Sequence, residues 1–421
     1  MRSLRCPVCH RREQREIFTW ESMPVFCNVL YETRSEALGA ERALMRLVCC
    51  SHCGFIHNAA FEPERIRYGP HYENPLSASA HFRQYATGVT EELIRKYGIY
   101  GREIVEIGCG DGYFLKLMCG MGRNQGIGFD PSHDPHGASA DHDASGVRIV
   151  ADTYSRRYGQ YRPAMVCCRH VLEHIDDPLG FLRELRGTLE EQQGCIVFFE
   201  VPDAGHMLLC GAIWDILYEH CNYFTGESLE RVFKAAGFEV LQIDERYDGQ
   251  YLTLEARPAS IAQDDRVGAA AGSAGLLNQL ADFQKHFRDT VDCWRARIAG
   301  WREEGRRVVI WGVGTKGATF LNVLGLAHDK LEYAVDMHPT KQGKFVPGTG
   351  QKILAPQSLA AYQPDTIVVM NPVYMREIRE TACRYVENVT FVAASDSADY
   401  SPVLSGGKRA DATNILNLQT R

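Results

Sequence analysis

The stretch Glu103-Ile104-Val105-Glu106-Ile107-Gly108-Cys109-Gly110-Asp111-Gly112-Tyr113-Phe114 decides the fold class. A short apolar strand runs into a glycine-rich turn and then into a helical pattern, the opening of a βαβ unit. Glycines let the backbone approach a ligand and leave amide N–H groups exposed at a helix start, which suits an anion. The spacing of Gly108, Gly110 and Gly112 is GxGxG. Dinucleotide sites use GxGxxG, because a pyrophosphate sits on the helix terminus; here the third glycine comes one residue early.

Working outward, the next strand ends Gly126-Ile127-Gly128-Phe129-Asp130, with a carboxylate placed to accept hydrogen bonds from both hydroxyls of a ribose. Asp152 follows a third strand over 147–151 and is the candidate for an adenine edge. Arg169-His170 closes a fourth strand over 164–168. These positions fall at the carboxyl ends of successive strands, where open α/β sheets bind ligands. The ligand they predict is S-adenosylmethionine (SAM), with its carboxylate on the glycine loop and its amino group held by Glu106 directly or through water. Further elements are expected as helices over 90–97, 178–189 and 227–236, a strand over 195–201, and a closing antiparallel pair over 239–243 and 251–257. NAD on the same kind of sheet is the rival reading.

A chain of 421 residues exceeds one ordinary core, so two to three domains are expected. With 45% hydrophobic and 24% charged residues the composition is that of a globular protein. A net charge of −7 with scattered Lys and Arg gives no basic footprint, so nucleic acid is not expected as a partner. No apolar run reaches bilayer-spanning length, and Met1-Arg2-Ser3-Leu4-Arg5 leads into Cys6 without a hydrophobic signal region. A cytoplasmic protein, not held at a membrane, is expected, as a monomer or small homo-oligomer.

Among 15 cysteines only one set has ligand spacing: Cys6-Pro7-Val8-Cys9 and Cys50-Ser51-His52-Cys53. Two CxxC knuckles bring four thiolates within tetrahedral reach of one ion and leave no open position for water, so structural zinc is expected, with Cys49 or His52 as substitute ligands. A redox pair is the competing reading. Farther along, Val308-Val309-Ile310-Trp311 runs into Gly312-Val313-Gly314-Thr315-Lys316-Gly317, a literal GxGxxG, and Asp336 closes the next strand. Lys316, and Lys341-Gln342-Gly343-Lys344 before Pro347-Gly348-Thr349, add basic and turn elements for a phosphate-bearing ligand; Asn371 joins that set. Residues 259–275 are rich in Ala, Gly and Asp, and a helical pattern over 276–302 follows. The expected architecture is α/β: a zinc module (1–79), a class I SAM-methyltransferase Rossmann-like domain (80–258), a linker and connecting helix (259–305), a second Rossmann-like domain (306–399) and a tail (400–421).

With these motifs in order, the chain resembles the nucleotide-sugar C-methyltransferases, which make branched deoxysugars by methylating C3 of a 4-keto sugar. The resemblance rests on the paired CxxC module, on Glu106 to Gly112, on Tyr218-Glu219-His220-Cys221-Asn222-Tyr223-Phe224, and on Gly312 to Gly317 with Lys341 to Gly348. It implies a C-terminal module that anchors the nucleotide of the sugar, with His220 as catalytic base and Glu219 orienting or polarising it. Carbon methylation needs such a base and an enolate stabiliser, since a sugar C–H is not nucleophilic until a proton next to a carbonyl is removed. His174, after the fourth strand, reaches the same cleft and is the expected hydrogen-bond partner of the 4-keto oxygen or enolate. Members of that family read Tyr-His-Glu-His, so their tyrosine falls on Leu217 here. The nearest phenol is Tyr218, a shift that turns a side chain by about 100° on a helix. Tyr72, in Tyr72-Glu73-Asn74, matches a region where the family brings a tyrosine over the site. An O- or N-methyltransferase on another small molecule, and a SAM- or zinc-binding assembly module without catalysis, are the alternatives.

Overall fold

The computed structural model describes residues 5–67, 76–133, 146–259 and 273–396, with two short strands at 403–404 and 408–409. Tyr72 lies outside the described residues. The chain forms two compact units, the first from the described parts of Met1–Val29, Glu41–Gly205 and Tyr218–Leu276, the second from those of Leu30–Ala40, His206–Leu217 and Leu277–Arg421. This departs from division in chain order, because two short segments, 30–40 and 206–217, fold with the C-terminal unit. In the first of them Tyr31 forms a β-bridge with Phe345, and the Gly348 N–H donates to the Ala37 carbonyl at 2.7 Å. Among the described residues no helix is long and apolar enough to cross a membrane.

The first unit holds β1 (Gln14–Pro24), β2 (Arg42–Cys50), β3 (Ile56–Asn58), β4 (Glu103–Ile107), β5 (Gln125–Phe129), β6 (Val147–Val150), β7 (Met165–Arg169), β8 (Ile196–Pro202), β9 (Asn222–Tyr223), β10 (Phe238–Arg246) and β11 (Tyr251–Pro258). Seven of these form one sheet in the order β10-β11-β8-β7-β4-β5-β6. The five strands from β8 to β6 are parallel, and β11 and β10 close the edge antiparallel, as the pattern over 239–257 predicts. Val166, Cys167 and Cys168 of β7 are buried, as a strand covered on both faces requires. From β4 the chain winds outward through β5 and β6, then returns to β7 on the other side of β4. That reversal opens a crevice at the carboxyl ends of β4 and β7.

The helix before β4 runs Ala80–Tyr97, ten residues longer at its start than the sequence pattern predicts. Gly88 lies in its interior, yet Phe82, Ala86, Val89, Leu93 and Ile94 bury one continuous face, and packing outweighs the roughly 1 kcal/mol cost of a helical glycine. The Ser79 hydroxyl caps its first turn by accepting from the Phe82 N–H at 3.3 Å.

A second sheet, in the order β1-β2-β3-β9, joins the cysteine-bearing segment to the chain around His220. Ile56 and His57 of β3 pair with Tyr223 and Asn222 of β9. The segment that carries Glu219 and His220 thus leads into the outer strand of the N-terminal sheet.

The second unit holds β12 (Val308–Trp311), β13 (Tyr333–Val335), β14 (Lys352–Leu354), β15 (Thr366–Val369) and β16 (Thr390–Ala393), all parallel, in the order β14-β13-β12-β15-β16. It is a Rossmann-like half with its own reversal between β12 and β15. The helix Ser273–Glu303 passes through Gly300 without a break and seats the buried Trp294, whose indole N–H donates to the Ala394 carbonyl at 3.1 Å.

Candidate active site

At the crevice of the first unit, Gly108, Gly110 and Gly112 all have positive φ (68°, 54° and 74°). Gly108 allows a close approach: a Cβ there would lie 2.2 Å from Val171 Cγ2 on the segment leaving β7. Asp130 latches the loop, one oxygen accepting from the Gly110 N–H at 2.8 Å and the other from the Ser132 N–H at 2.9 Å and hydroxyl at 2.6 Å. Glu106 is 3% exposed, and its Oε2 has no hydrogen-bond partner. Burial pushes its carboxyl up to about 8 against the pull of Arg169. A buried acid with one unpartnered oxygen behind a glycine loop is the feature that an ammonium-bearing ligand satisfies, so the residues fit the methionine end of SAM. Asp152 is engaged by its neighbours Arg157 and Tyr158.

Arg169 and His170 sit differently from a simple cofactor contact. The Arg169 guanidinium lies 4.3 Å from the Phe114 ring centroid and donates twice to Glu200, at 3.1 and 2.6 Å. His170, at φ 55°, places Nε2 2.9 Å from the same Glu200 oxygen, and the Tyr85 hydroxyl reaches the other. Glu200 is fully buried in β8; burial pushes its carboxyl up, yet Arg169, His170 and Tyr85 outweigh this and hold it near 2. The sequence reading missed Glu200, although a carboxylate inside Phe198-Phe199-Glu200-Val201 was a visible signal, since a charge is rarely buried unpaired.

The segment that carries Val171 against Gly108 continues through a single turn, Leu172–His174. There the His174 ring meets the His220 ring at 4.8 Å between centroids and 87° between planes. The His174 Nδ1 lies 3.1 Å from the Glu219 carbonyl, and burial pulls its imidazole down to about 4. Glu219 is fully buried and accepts from the Cys27 N–H at 3.3 Å. Asn222 donates to the Leu172 and Ile175 carbonyls at 3.4 and 2.5 Å, tying the two histidine segments together. One carboxylate oxygen of Glu173 and one ring nitrogen each of His174 and His220 lie within 4.8 Å of one another. Tyr218 stands apart from the role expected of it: it is buried against Phe61, with its hydroxyl accepting from the Glu62 N–H at 3.0 Å.

In the second unit, Gly312 has φ 102°, and a Cβ on Gly317 would lie 2.4 Å from the Gly312 carbonyl oxygen. Asp336 accepts from the Val313 N–H at 3.0 Å and from the His338 N–H at 2.9 Å, and the Lys341 Nζ lies 3.5 Å away. Gly314 caps the helix Thr315–Leu324, and Lys316 pairs with Asp215. Gln342 donates to the Asp336 carbonyl at 3.2 Å, and Asn371 caps the turn after β15 by accepting from the Val373 N–H.

The Sγ atoms of Cys6, Cys9, Cys50 and Cys53 lie within 4.8 Å of one another, with Cys6 to Cys53 at 3.6 Å and Cys9 to Cys50 at 3.5 Å. A tetrahedral ion with metal–sulfur bonds of about 2.3 Å spaces its sulfurs by about 3.8 Å, so the donor set fits zinc. The two knuckles share one backbone design: His10 N–H donates to the Cys6 carbonyl at 3.0 Å and Gly54 N–H to the Cys50 carbonyl at 2.9 Å, with both donors in the left-handed region. Cys49 directs its sulfur to the Cys50 carbonyl, and neither it nor His52 joins the cluster.

Residues 78–243 match the family described as methyltransferase domain, and residues 265–394 match the family described as C-methyltransferase C-terminal domain. C-methyltransferase NovU of Streptomyces niveus is 25% identical over 398 residues, covering 91% of this chain and 93% of that protein. A ubiquinone biosynthesis O-methyltransferase of Aeromonas salmonicida is 28% identical over 159 residues, covering 34% of this chain and 65% of its own length. Among solved structures, a SAM-dependent methyltransferase from Clostridium acetobutylicum is similar at 11% identity and a TM-score of 0.35, covering 44% of this chain and 96% of that one.

Proposed function

We propose that this chain is a SAM-dependent C-methyltransferase that methylates C3 of a nucleotide-linked 4-keto-deoxysugar through an enolate, with His220 as the base. The observation that carries this reading is the pair of imidazoles, His174 and His220, 4.8 Å apart beside the segment that touches Gly108. A transfer to oxygen or nitrogen needs only a weak base, whereas transfer to carbon needs a proton removed next to a carbonyl.

SAM, when bound, supplies an electrophilic methyl group on a sulfonium. The chain's own part begins with Glu106, the loop Gly108 to Gly112 and Asp130, which would hold the cofactor, with Asp152, Arg169 and His170 at the following strand ends. Burial of Glu219 and its bond to Cys27 fix the backbone of the Glu219-His220 pair, so His220 is presented without conformational search. Zinc on Cys6, Cys9, Cys50 and Cys53 would brace the sheet whose outer strand, Asn222–Tyr223, comes just after His220 and Cys221. The nucleotide would be held by the second unit through Gly312, Gly314, Lys316, Gly317, Asp336, Lys341, Gln342 and Asn371. The literal GxGxxG makes NAD the competing ligand there, and thermal shifts with TDP or UDP against NADH fluorescence decide between them.

Deuterium wash-in at C3 of a TDP-linked 4-keto-deoxysugar, without SAM, tests the base directly. His220→Ala is expected to slow exchange by about 100-fold or more, the range of a lost general base. Exchange at the normal rate in that variant would remove His220 from the mechanism.

A further inference from the structure

Glu173 is a buried carboxyl that the proposed mechanism has not used. It is 2% exposed, and its Oε2 has no hydrogen-bond partner. Its Oε1 lies 3.8 Å from His170 Nδ1 and 4.0 Å from His174 Nε2, too far for a hydrogen bond to either. The tautomer of His174 is what makes this carboxyl matter. A carbonyl oxygen only accepts, so the His174 Nδ1 that faces the Glu219 carbonyl carries the ring proton. Burial keeps the ring neutral, which leaves Nε2 without a proton. In that state His174 cannot donate to a ketone or an enolate oxygen. Position 217 is a leucine, so the phenol that the family resemblance places at that position is replaced, and Tyr218 spends its hydroxyl on Glu62.

We propose that Glu173 acts as a neutral carboxylic acid and donates the hydrogen bond to the acceptor's carbonyl oxygen as that oxygen becomes an enolate, an assignment that rests on the enolate reading above. Geometry supports it. Glu173, His174 and His220 each bring one polar atom within 4.8 Å of the others. Atoms that close together face one small group, so an acceptor oxygen set against the Glu173 O–H keeps its neighbouring C3–H within reach of His220. His220 takes the C3 proton, the C–H pair becomes the C3–C4 double bond, and the C4 carbonyl pair moves onto oxygen under the Glu173 O–H. When C3 attacks the methyl group the carbonyl re-forms and sulfur leaves with the C–S pair. Glu173 keeps its proton, and the proton on His220 passes to solvent. His174 serves as a positioning residue, held by its Nδ1 contact with the Glu219 carbonyl.

Most of what faces Glu173 favours its neutral form, against its own backbone N–H, which favours the ionised one. Burial comes first, pushing the carboxyl up to about 8, and Glu200 on β8 and Glu219 add to it. His170 and His174 on its own segment, His220 and Cys221 beside Glu219, and Cys168 on β7 complete its surroundings.

Glu173→Gln keeps a neutral donor of the same shape, while Glu173→Leu removes it. C3 exchange and kcat are expected to stay within about tenfold of wild type in the first and to fall about 100-fold or more in the second. Equal losses in both variants, or none in the leucine variant, would overturn the assignment. The wild-type exchange rate should also decline above about pH 8, and the glutamine variant should lack that decline. A substrate-free measurement covers the case in which the leucine variant does not fold. In the infrared difference between wild type and Glu173→Gln, a protonated-carboxyl band is expected at pH 6 and should be lost near pH 8. An ionised carboxylate at pH 6 would overturn the proposal. Because that readout needs no acceptor, failure of the sugar reading, seen as no methylation of any 4-keto sugar by wild type, stays distinguishable from failure of the acid.

Discussion

Replacing Glu106 with glutamine should stabilise the free protein and weaken SAM binding at once. The Glu106 carboxyl is raised by burial from 4.5 to about 8, with Arg169 opposing. A folded-state value above the unfolded one contributes stability that is complete below pH 4.5 and is lost as pH rises through about 8. At pH 7 the unfolded chain gains from ionising this group while the folded chain keeps it protonated, a difference of about 3 kcal/mol at 1.36 kcal/mol per unit. Glutamine does not titrate, so the variant should equal wild type in stability near pH 4.5 and exceed it by up to about 3 kcal/mol at pH 7. Urea unfolding of both proteins at pH 5 and pH 7 measures this. All other groups titrate alike in the pair, and their contributions cancel. The gap should widen by about 2.7 kcal/mol between the two pH values. The binding arm has its own sign: an ammonium brought against Glu106 ionises it, so SAM binding at pH 7 should release a proton, read as a dependence of binding enthalpy on buffer ionisation. Wild-type affinity should rise by up to tenfold per pH unit toward pH 8, and the glutamine variant should show neither effect. Parallel stability curves and a SAM affinity independent of pH would refute the buried-acid account of this loop.

Gly108→Ala puts a methyl group 2.2 Å from Val171 Cγ2 at φ 68°, so a loss of roughly 1–3 kcal/mol and a drop in SAM affinity are expected by thermal melting and calorimetry; an unchanged melt would mean that the close approach is relaxed at no cost. Cys50→Ser leaves three thiols in the cluster, and bound zinc, measured by elemental analysis of the purified protein, should fall well below one per chain. Because β3 pairs with β9, the same variant should also slow C3 exchange, and full exchange in metal-free protein would separate the cluster from the base.

The seven-stranded sheet was readable because its parallel strands are short, mostly apolar runs, two of them stopped at once by Gly108 and Asp130. The cysteine set was readable from spacing, and only geometry could exclude Cys49, whose sulfur is turned to a carbonyl one residue away. Long-range pairing was not readable. A two-residue strand at Asn222–Tyr223 carries no periodicity, so nothing local announces that it pairs with Ile56 and His57, far back in the chain. The same holds for Tyr218, whose hydroxyl meets a backbone N–H 156 positions away. Glu173 and Glu200 were passed over for a different cause: sequence motifs weight glycines and histidines, whereas the chemistry of a buried carboxyl is set by which charges surround it. Glu200 with Arg169 is held near 2, and Glu173 without a cation is pushed to about 8.

The two glycine loops share one device and differ in another, and the difference bears on what each binds. In both, the acid that ends the second strand accepts a loop N–H with one oxygen and, with the other, the N–H two residues beyond itself: Asp130 with Gly110 and Ser132, Asp336 with Val313 and His338. Each loop therefore has its shape before a ligand arrives, and a ribose would meet a carboxylate that is already placed. The third glycine separates them. Gly112 stands in the left-handed region as the residue before the helix Tyr113–Gly122, so it shapes the turn itself. Gly317 lies inside its helix, where the nearest atom to an added Cβ would be the Gly312 carbonyl oxygen, so it serves helix–strand packing. Any tight Rossmann-like half needs that contact, whatever it binds. Part of the GxGxxG fingerprint in the second unit is thereby explained by packing alone, and the case for NAD there loses one of its three glycines.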